Sequence, residues 1–209
     1  MIQKTFTVGP LQCNCTILAC ERTLEAVLID PGDEPQKIIE HLDRLGVAVK
    51  YLLHTHAHFD HIGGTQGVRA HTSAPVCLHS GDQMIYEMLP QQGKMFGMNF
   101  DPAPPIEKFL VDEETLRFGD HEIQVIHTPG HSPGGVCFKL TGGEETLFSG
   151  DSLFQGSIGR TDLWGGDYEQ LITSIKKRLL VLDDDIRVFP GHGPSTLIGK
   201  EKRNNPFLS

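Results

Sequence analysis

The chain has 209 residues and a formal net charge of −9, with 38% hydrophobic and 22% charged residues. The acidic excess argues against a nucleic-acid partner, because such binding relies on Lys and Arg to neutralise phosphates. No stretch reaches the ~20 apolar residues of a membrane-spanning helix, and residues 1–15 lack the apolar centre of a secretory signal. We therefore expect a single cytoplasmic domain over residues 1–209, with no nucleic-acid or membrane partner.

The first part of the chain alternates predicted strands with predicted helices. Residues 34–45 have apolar side chains at helical spacing, with Gly46 as a stop signal, and a shorter helix is expected at 63–71. Residues 81–97 begin with a helical pattern, and prolines predict a loop at 101–105. Strands are expected at residues 2–8, 14–20, 24–30, 49–53 and 75–78.

The second part is richer in strands. Residues 168–182 form the clearest helical pattern, with one apolar stripe. Strands are expected at residues 115–118, 123–127, 136–140, 146–149 and 187–189. Strands and helices interspersed in this way favour a layered α/β architecture.

The five cysteines indicate reduced thiols rather than a disulfide framework, because their number is odd and no export signal is evident. Cys13 and Cys15 have the two-residue spacing of a strand, and no second cysteine pair completes a metal site. We interpret them as core or strand side chains.

Four potential metal ligands follow the predicted strand at 49–53 within six residues: His56, His58, Asp60 and His61. Extended spacing places His56 and His58 on one side of the chain, and the turn that follows can direct Asp60 and His61 elsewhere. One short loop can therefore serve two neighbouring ions.

Three more candidate ligands, His131, Asp151 and His192, lie at the ends of predicted strands, each directly after a glycine. Imidazole and carboxylate groups suit zinc, iron or manganese, and the lack of paired cysteines argues against a closed structural zinc site. Seven ligands exceed one tetrahedron but fill two metal sites if one carboxylate bridges them. Two such ions can activate a water molecule, which favours hydrolysis.

The run His-x-His-x-Asp-His at 56–61, with Gly-His131-Ser, Gly-Asp151 and Gly-His192-Gly farther on, resembles the metallo-β-lactamase superfamily over the whole chain. The resemblance implies an α/β fold, a four-layer αββα sandwich with the metals at one edge between the sheets. It implies two divalent ions per chain, zinc first and iron or manganese as alternatives. In it, the first ion is held by His56, His58 and His131, the second by Asp60, His61 and His192, and Asp151 bridges both.

The segment after Asp151 is similar to glyoxalase II enzymes and to persulfide dioxygenases. Arg160 falls where a cationic residue of those families meets glutathione, whose carboxylates a guanidinium fork can bind. The alternative interpretation of Arg160 is a structural salt bridge to Asp162 or Asp167. Because only residues 195–209 follow the last ligand, we expect no C-terminal helical domain of the kind that longer glyoxalase II chains carry.

The leading expectation is a glyoxalase II-like enzyme of methylglyoxal detoxification, a hydrolase with a small glutathione-linked thioester as its partner. It would convert S-D-lactoylglutathione to D-lactate and glutathione with a metal-bridging hydroxide, which Asp60 would help to orient. The alternatives are a mononuclear iron persulfide dioxygenase built on His56, His131 and Asp151, another ester or lactone hydrolase of the superfamily, and a degenerate binding module. The aspartate at 151, where common β-lactamases have cysteine, weakens the antibiotic-hydrolysing interpretation.

Overall fold

The computed structural model describes residues 1–142 and 145–208, and its first sheet contains six strands. In chain order they are β1 (Ile2–Val8), β2 (Cys13–Ala19), β3 (Glu25–Ile29), β4 (Ala48–Leu53), β5 (Val76–His79) and β6 (Lys108–Leu110). The spatial order is the same as the chain order. The pairs β1–β2 and β2–β3 are antiparallel, and the pairs from β3 to β6 are parallel.

The second sheet also contains six strands. Its strands and those of a small hairpin are β7 (Thr115–Phe118), β8 (His121–His127), β9 (Val136–Thr141), β10 (Thr146–Gly150), β11 (Leu153–Phe154), β12 (Ser157–Ile158), β13 (Arg187–Pro190) and β14 (Thr196–Leu197). The hairpin, which is not part of the sheet, lies in the chain between strands β10 and β13. The sheet order is β14-β13-β10-β9-β8-β7, and β11 pairs with β12. In this second sheet, β10 and β13 are the only parallel neighbours among the described pairs. Strands β8 and β9 pair antiparallel, from Glu122–Thr141 to His127–Val136.

Seven α-helices accompany the sheets in the described ranges: α1 (Pro35–Leu45), α2 (Phe59–Ile62), α3 (Thr65–Thr72), α4 (Gln83–Glu87), α5 (Leu89–Met95), α6 (Tyr168–Ser174) and α7 (Ile198–Asn204). A 3₁₀ turn covers Ser80–Asp82, and a π-helical turn covers Ile175–Leu179. Helix α1 begins at a proline, whose fixed φ suits the first helical position. Within the described residues, none of the helices is both long and apolar enough to cross a membrane.

Three apolar clusters separate four layers. The middle cluster contains side chains of both sheets, including Leu18, Val27 and Phe138. The outer clusters join each sheet to helices, and their members include Ile17 and Ile38 for the first sheet, and Cys137, Val188 and Leu171 for the second. Because neighbouring residues of a strand point to opposite faces, Ile17 and Leu18 enter different clusters. The arrangement confirms the αββα fold.

The predicted strands are all present, and the differences from prediction concern short elements and one helical segment. Residues 81–97 form two helices, α4 and α5, because Pro90 lacks the N–H that would continue the first helix. The predicted helix at 168–182 is regular only to Ser174 and then widens into the π-helical turn. Strands β6, β11, β12 and β14 and helices α2 and α7 were not predicted. The four strands have only two or three residues each, too few to show a readable period.

The carboxyl ends of four strands carry the predicted ligands. Strands β8 and β10 run in the same direction because both are antiparallel to β9, and β13 is parallel to β10. The segments that follow β4, β8, β10 and β13 contain all seven candidates, with Asp60 and His61 in helix α2. The fold therefore brings residues far apart in the sequence to one edge of the sandwich.

Candidate metal centre

The first cluster of side chains consists of His56, His58 and His131, all buried. The Nδ1 atom of His58 lies 2.9 Å from Nε2 of His131, which in turn lies 3.2 Å from Nε2 of His56. The loop after β4 supplies the first two rings and the loop after β8 supplies the third. The structure brings these three residues together.

In this cluster Nε2 of His56 and Nε2 of His131 face each other, and both nitrogens carry lone pairs. The Thr55 hydroxyl donates to Asp30 (2.7 Å), so its oxygen accepts the Nδ1–H of His56 (3.0 Å) and leaves Nε2 of His56 unprotonated. The Nδ1–H of His131 donates to the Arg160 carbonyl (2.7 Å), which leaves its Nε2 unprotonated too. Two lone pairs 3.2 Å apart repel each other unless a cation lies between them.

Burial also keeps the rings of His56 and His58 neutral. It lowers the pKa of His56 well below its ordinary value and, with the neighbouring His131, the pKa of His58 to about 3. Neutral imidazole is the form that binds metal ions. His56 and His58 are therefore in the metal-binding form at neutral pH.

The second cluster consists of Asp60, His61 and His192. The two Nε2 atoms are 3.2 Å apart, and Oδ2 of Asp60 lies 3.1 Å from Nε2 of His192. The Nδ1–H of His61 donates to Asp30 (3.0 Å), and that of His192 donates to the Leu11 carbonyl (3.0 Å). Here again the outer hydrogen bonds direct both lone pairs inward.

Asp151 lies between the two clusters. Its Oδ1 is 3.5 Å from Nε2 of His61, and its Oδ2 is 3.6 Å from Nε2 of His131 and 3.8 Å from Nε2 of His192. The buried Oδ1 atom finds no hydrogen-bond partner among residues 1–142 and 145–208. A buried carboxyl oxygen without a partner is costly in such a place, and a cation would satisfy it. The donor set thus fits two metal ions that share one carboxylate.

The electrostatics of the second cluster also call for positive charge. Burial would raise the pKa of Asp60, but His61 and His192 hold it below its ordinary value, so the carboxylate is ionised. Burial would lower the pKa of His192, but the carboxylates of Asp60 and Asp151 raise it instead. Either protons or metal ions must balance these carboxylates, and the inward lone pairs suit metal ions.

Two glycines next to Asp151 are required by close packing. A Cβ atom at Gly191 would overlap Oδ1 of Asp151, and one at Gly150 would overlap the Thr55 hydroxyl. Gly150 also has a φ of +48°, in the left-handed region that favours glycine. The glycines that precede Asp151 and His192 in the sequence are therefore explained by the close backbone packing around the centre.

A cavity of about 260 Å³ is lined by ligands from both clusters. The ligand side of the cavity consists of His58, Asp60, His131, Asp151 and His192. The remaining lining is largely apolar and includes Leu11, Phe59, Phe96, Leu163 and Trp164, together with Arg160. The entrance to the centre is therefore largely apolar and contains the guanidinium group of Arg160.

Arg160 forms the salt bridge that was the alternative interpretation of this residue. Its Nε and Nη2 atoms donate to the two carboxylate oxygens of Asp162, at 2.7 and 2.9 Å. Asp167 instead accepts a hydrogen bond from the Gln170 amide and caps helix α6. The guanidinium still lines the cavity, so a ligand carboxylate could compete with Asp162 for it.

Two buried carboxylates at this centre were missed by the sequence analysis. Asp30 receives hydrogen bonds from Thr55 and His61, and it ends strand β3 much as the ligands end theirs, so the pattern Ile-Asp-Pro-Gly was a usable signal. Asp82 lies in the 3₁₀ turn after β5, and nothing in its local sequence marks it. Both support ligands rather than line the cavity.

The fold and the centre define a class of protein. A family model of the metallo-beta-lactamase superfamily matches residues 8–192, and the chain belongs to that superfamily as a metallo-hydrolase. It is 40% identical to the hydroxyacylglutathione hydrolase GloC of Haemophilus influenzae over 97% of this chain and 95% of the relative. It is 38% identical to the probable metallo-hydrolase YqgX of Bacillus subtilis over 99% and 97%.

Solved structures agree with this assignment. The BLEG-1 B3 metallo-beta-lactamase superposes with a TM-score of 0.92 at 41% identity and full coverage of both chains. TTHA1623 in a di-iron-bound form gives 0.89 at 42% identity, covering 98% of this chain and 100% of the other. ETHE1 from Myxococcus xanthus gives 0.82 at 27% identity, covering 99% and 84%.

Proposed function

We propose that the protein hydrolyses acyl-glutathione thioesters, converting S-D-lactoylglutathione to D-lactate and glutathione. The observation that carries the proposal is the pair of ligand clusters around Asp151 facing a small apolar cavity that also contains Arg160. The name of the relative GloC, a hydroxyacylglutathione hydrolase, supports the thioester class.

The residues that would hold the ions follow from the two clusters. His56, His58 and His131 would bind the first ion, Asp60, His61 and His192 the second, and Asp151 both. Zinc is our first choice, and the di-iron form of TTHA1623 makes iron the main alternative. When bound, such ions supply a water that is deprotonated near neutral pH and stabilise the negative charge that develops on the carbonyl oxygen.

The chain's own residues bind and orient the substrate. The cavity of about 260 Å³ lies below the ~300–1,000 Å³ of pockets that enclose drug-sized ligands, so the acyl group and sulfur would enter and the peptide part would stay outside. The ionised Asp60 carboxylate, which lines the cavity, would accept a hydrogen bond from the attacking water. Phe96 and Trp164 would exclude bulk water, and Arg160 would bind a glutathione carboxylate.

The leaving group needs little assistance. An ordinary thiol has a pKa of about 8.5, so the thiolate departs readily from a tetrahedral intermediate without a dedicated acid. In the described residues the cavity lining includes neither Lys nor Tyr, which agrees with this chemistry.

The test is hydrolysis of S-D-lactoylglutathione by zinc-loaded protein, followed by loss of thioester absorbance with and without a chelator. Asp60→Asn is expected to lose turnover with an unchanged far-ultraviolet circular dichroism spectrum. Asp185→Asn is the matched control, because Asp185 precedes β13, at the strand end opposite His192. Absence of turnover with both ions bound would refute the proposal, and faster hydrolysis of a chromogenic cephalosporin would assign the protein to β-lactams instead.

A second candidate is a mononuclear iron persulfide dioxygenase. It is favoured by one feature of the centre: Nε2 of His131 lies 3.2 Å from His56 and 3.6 Å from Asp151, the two-histidine, one-carboxylate set of non-haem iron oxygenases. Metal content separates the candidates. One iron per chain, with oxygen uptake and sulfite formed from glutathione persulfide, would favour the dioxygenase.

A further inference from the structure

Asp82 is a fully buried carboxylate that lies behind the first ligand cluster. Its Oδ2 atom accepts hydrogen bonds from the Ala57 amide (2.9 Å) and the Ser132 hydroxyl (2.8 Å). Its Oδ1 atom accepts one from the Gly134 amide (2.5 Å). One side chain thus satisfies three buried donors.

These donors belong to the two loops that carry the imidazoles of the first cluster. Ala57 lies between His56 and His58, in the loop after β4 of the first sheet. Ser132 directly follows His131, in the loop after β8 of the second sheet. Asp82 therefore connects loops that come from different sheets at the point where their ligand atoms meet.

A second side chain holds the same residue, Ala57, through its carbonyl group. Gln92, buried in helix α5, donates from Nε2 to the Ala57 carbonyl (3.0 Å) and accepts at Oε1 from the Phe59 amide (3.1 Å). The backbone of Ala57 is thus fixed at its N–H by Asp82 and at its C=O by Gln92. Asp82 therefore joins an anchored loop after β4 to the loop after β8, in addition to the backbone hydrogen bond from Val136 to the Thr55 carbonyl (2.8 Å).

We propose that Asp82 is a positioning residue that sets the metal affinity of the first cluster by fixing the separation of its two loops. Only a carboxylate offers two oxygens that accept hydrogen bonds in all directions without presenting a donor to the backbone amides. In an asparagine at this position, an NH₂ group takes the place of one carboxylate oxygen. That donor then faces the N–H of Ala57 or of Gly134, so one loop must move. Residues that support metal ligands in this indirect way commonly change metal affinity by about 10–100-fold.

The proposal rests on the two-ion centre and not on the thioester substrate, so its test is metal binding. Zinc is titrated into the full metal-free chain in competition with a chromophoric chelator, which reports the affinity of each of the two ions. We expect Asp82→Asn to lower the affinity for one of the two zinc ions by about 10–100-fold and to leave the affinity for the other unchanged. Loss of thioester turnover is not needed as a readout.

Glu201→Gln is the matched control. Glu201 is also buried and also accepts from a backbone amide (Gly156, 2.8 Å) and a hydroxyl (Thr196, 2.6 Å), but in helix α7, where it holds no ligand loop. We expect Glu201→Gln to lower the urea midpoint and to retain wild-type affinity for both zinc ions. That result separates ligand positioning from a general loss of packing.

Three results would overturn the proposal: wild-type zinc affinities in Asp82→Asn, equal weakening of both ions, or the same weakening in Glu201→Gln. If Asp82→Asn does not fold, Ser132→Ala decides, because it removes one of the three hydrogen bonds and leaves no buried donor unpaired. We expect Ser132→Ala to weaken the same single ion by about tenfold. An unchanged affinity in that variant overturns the proposal as well.

Discussion

Replacing Asp30 with asparagine should weaken the binding of both metal ions. The Oδ2 atom of Asp30 accepts hydrogen bonds from Nδ1–H of His61 (3.0 Å) and from the Thr55 hydroxyl (2.7 Å), and Oδ1 accepts one from the Thr55 amide (2.7 Å). In Asp30→Asn, the oxygen is expected to keep the bond to the Thr55 amide. The NH₂ group then faces His61 and the Thr55 hydroxyl.

A donor at that position reverses the proton arrangement of two rings. His61 must accept at Nδ1, so its proton moves to Nε2 and the inward lone pair is lost. The Thr55 hydroxyl, which now accepts from the NH₂ group, turns its own proton toward Nδ1 of His56, 3.0 Å away, with the same consequence there. Loss of such an outer partner costs about 10–100-fold in metal affinity, or roughly 1.4–2.8 kcal/mol for each ion.

The assay is the zinc competition titration of the metal-free chain, with Asp185→Asn as a control at the opposite strand end. Both zinc constants should change in Asp30→Asn, in contrast to the single constant expected for Asp82→Asn. The folded fraction at each zinc concentration is monitored by circular dichroism. Wild-type affinities for both ions in Asp30→Asn would refute the tautomer argument.

Four further substitutions test the core, the pH response and the cavity. Phe138→Ala, in the cluster between the sheets, should lower the free energy of unfolding by about 3–5 kcal/mol in urea titrations; a loss below 1 kcal/mol would contradict its assignment to the core. Burial lowers the pKa of His54, so stability of the metal-free protein is lost as pH falls below ~6.5, and His54→Gln should make the loss of stability on acidification less steep in urea titrations at a series of pH values. Arg160→Ala should raise KM for S-D-lactoylglutathione with kcat unchanged, whereas Asp162→Ala, which releases the guanidinium, should lower KM.

The sequence was most informative where a function depends on local pattern. Each candidate ligand follows a strand that is readable from its own apolar residues. The structure places all seven in three overlapping groups, and the ligand atoms of each group lie within 4.8 Å of one another. The middle and outer layers could also be inferred, because alternation in strands such as β2 separates Ile17 from Leu18. These features need no knowledge of distant contacts.

Features that depend on distant contacts could not be predicted. Asp82 gains its position only when the loops after β4 and β8 meet, and neither loop adjoins it in the sequence. The widening of the helix after Ser174 likewise lacks a local cause, since the apolar stripe continues through Leu179. The break between α4 and α5 was readable from Pro90, although the spacing of apolar residues hid it.

Because the ligands come from both sheets, the metal centre is also a joint between the two halves of the sandwich. Ions held by residues of both sheets bind only the assembled structure, so their binding energy is added to the cohesion of the middle layer. At a free ion concentration a thousand times Kd, one such ion stabilises the folded chain by about 4.1 kcal/mol. Metal supply would therefore govern how long the folded chain persists in a cell, apart from any effect on turnover.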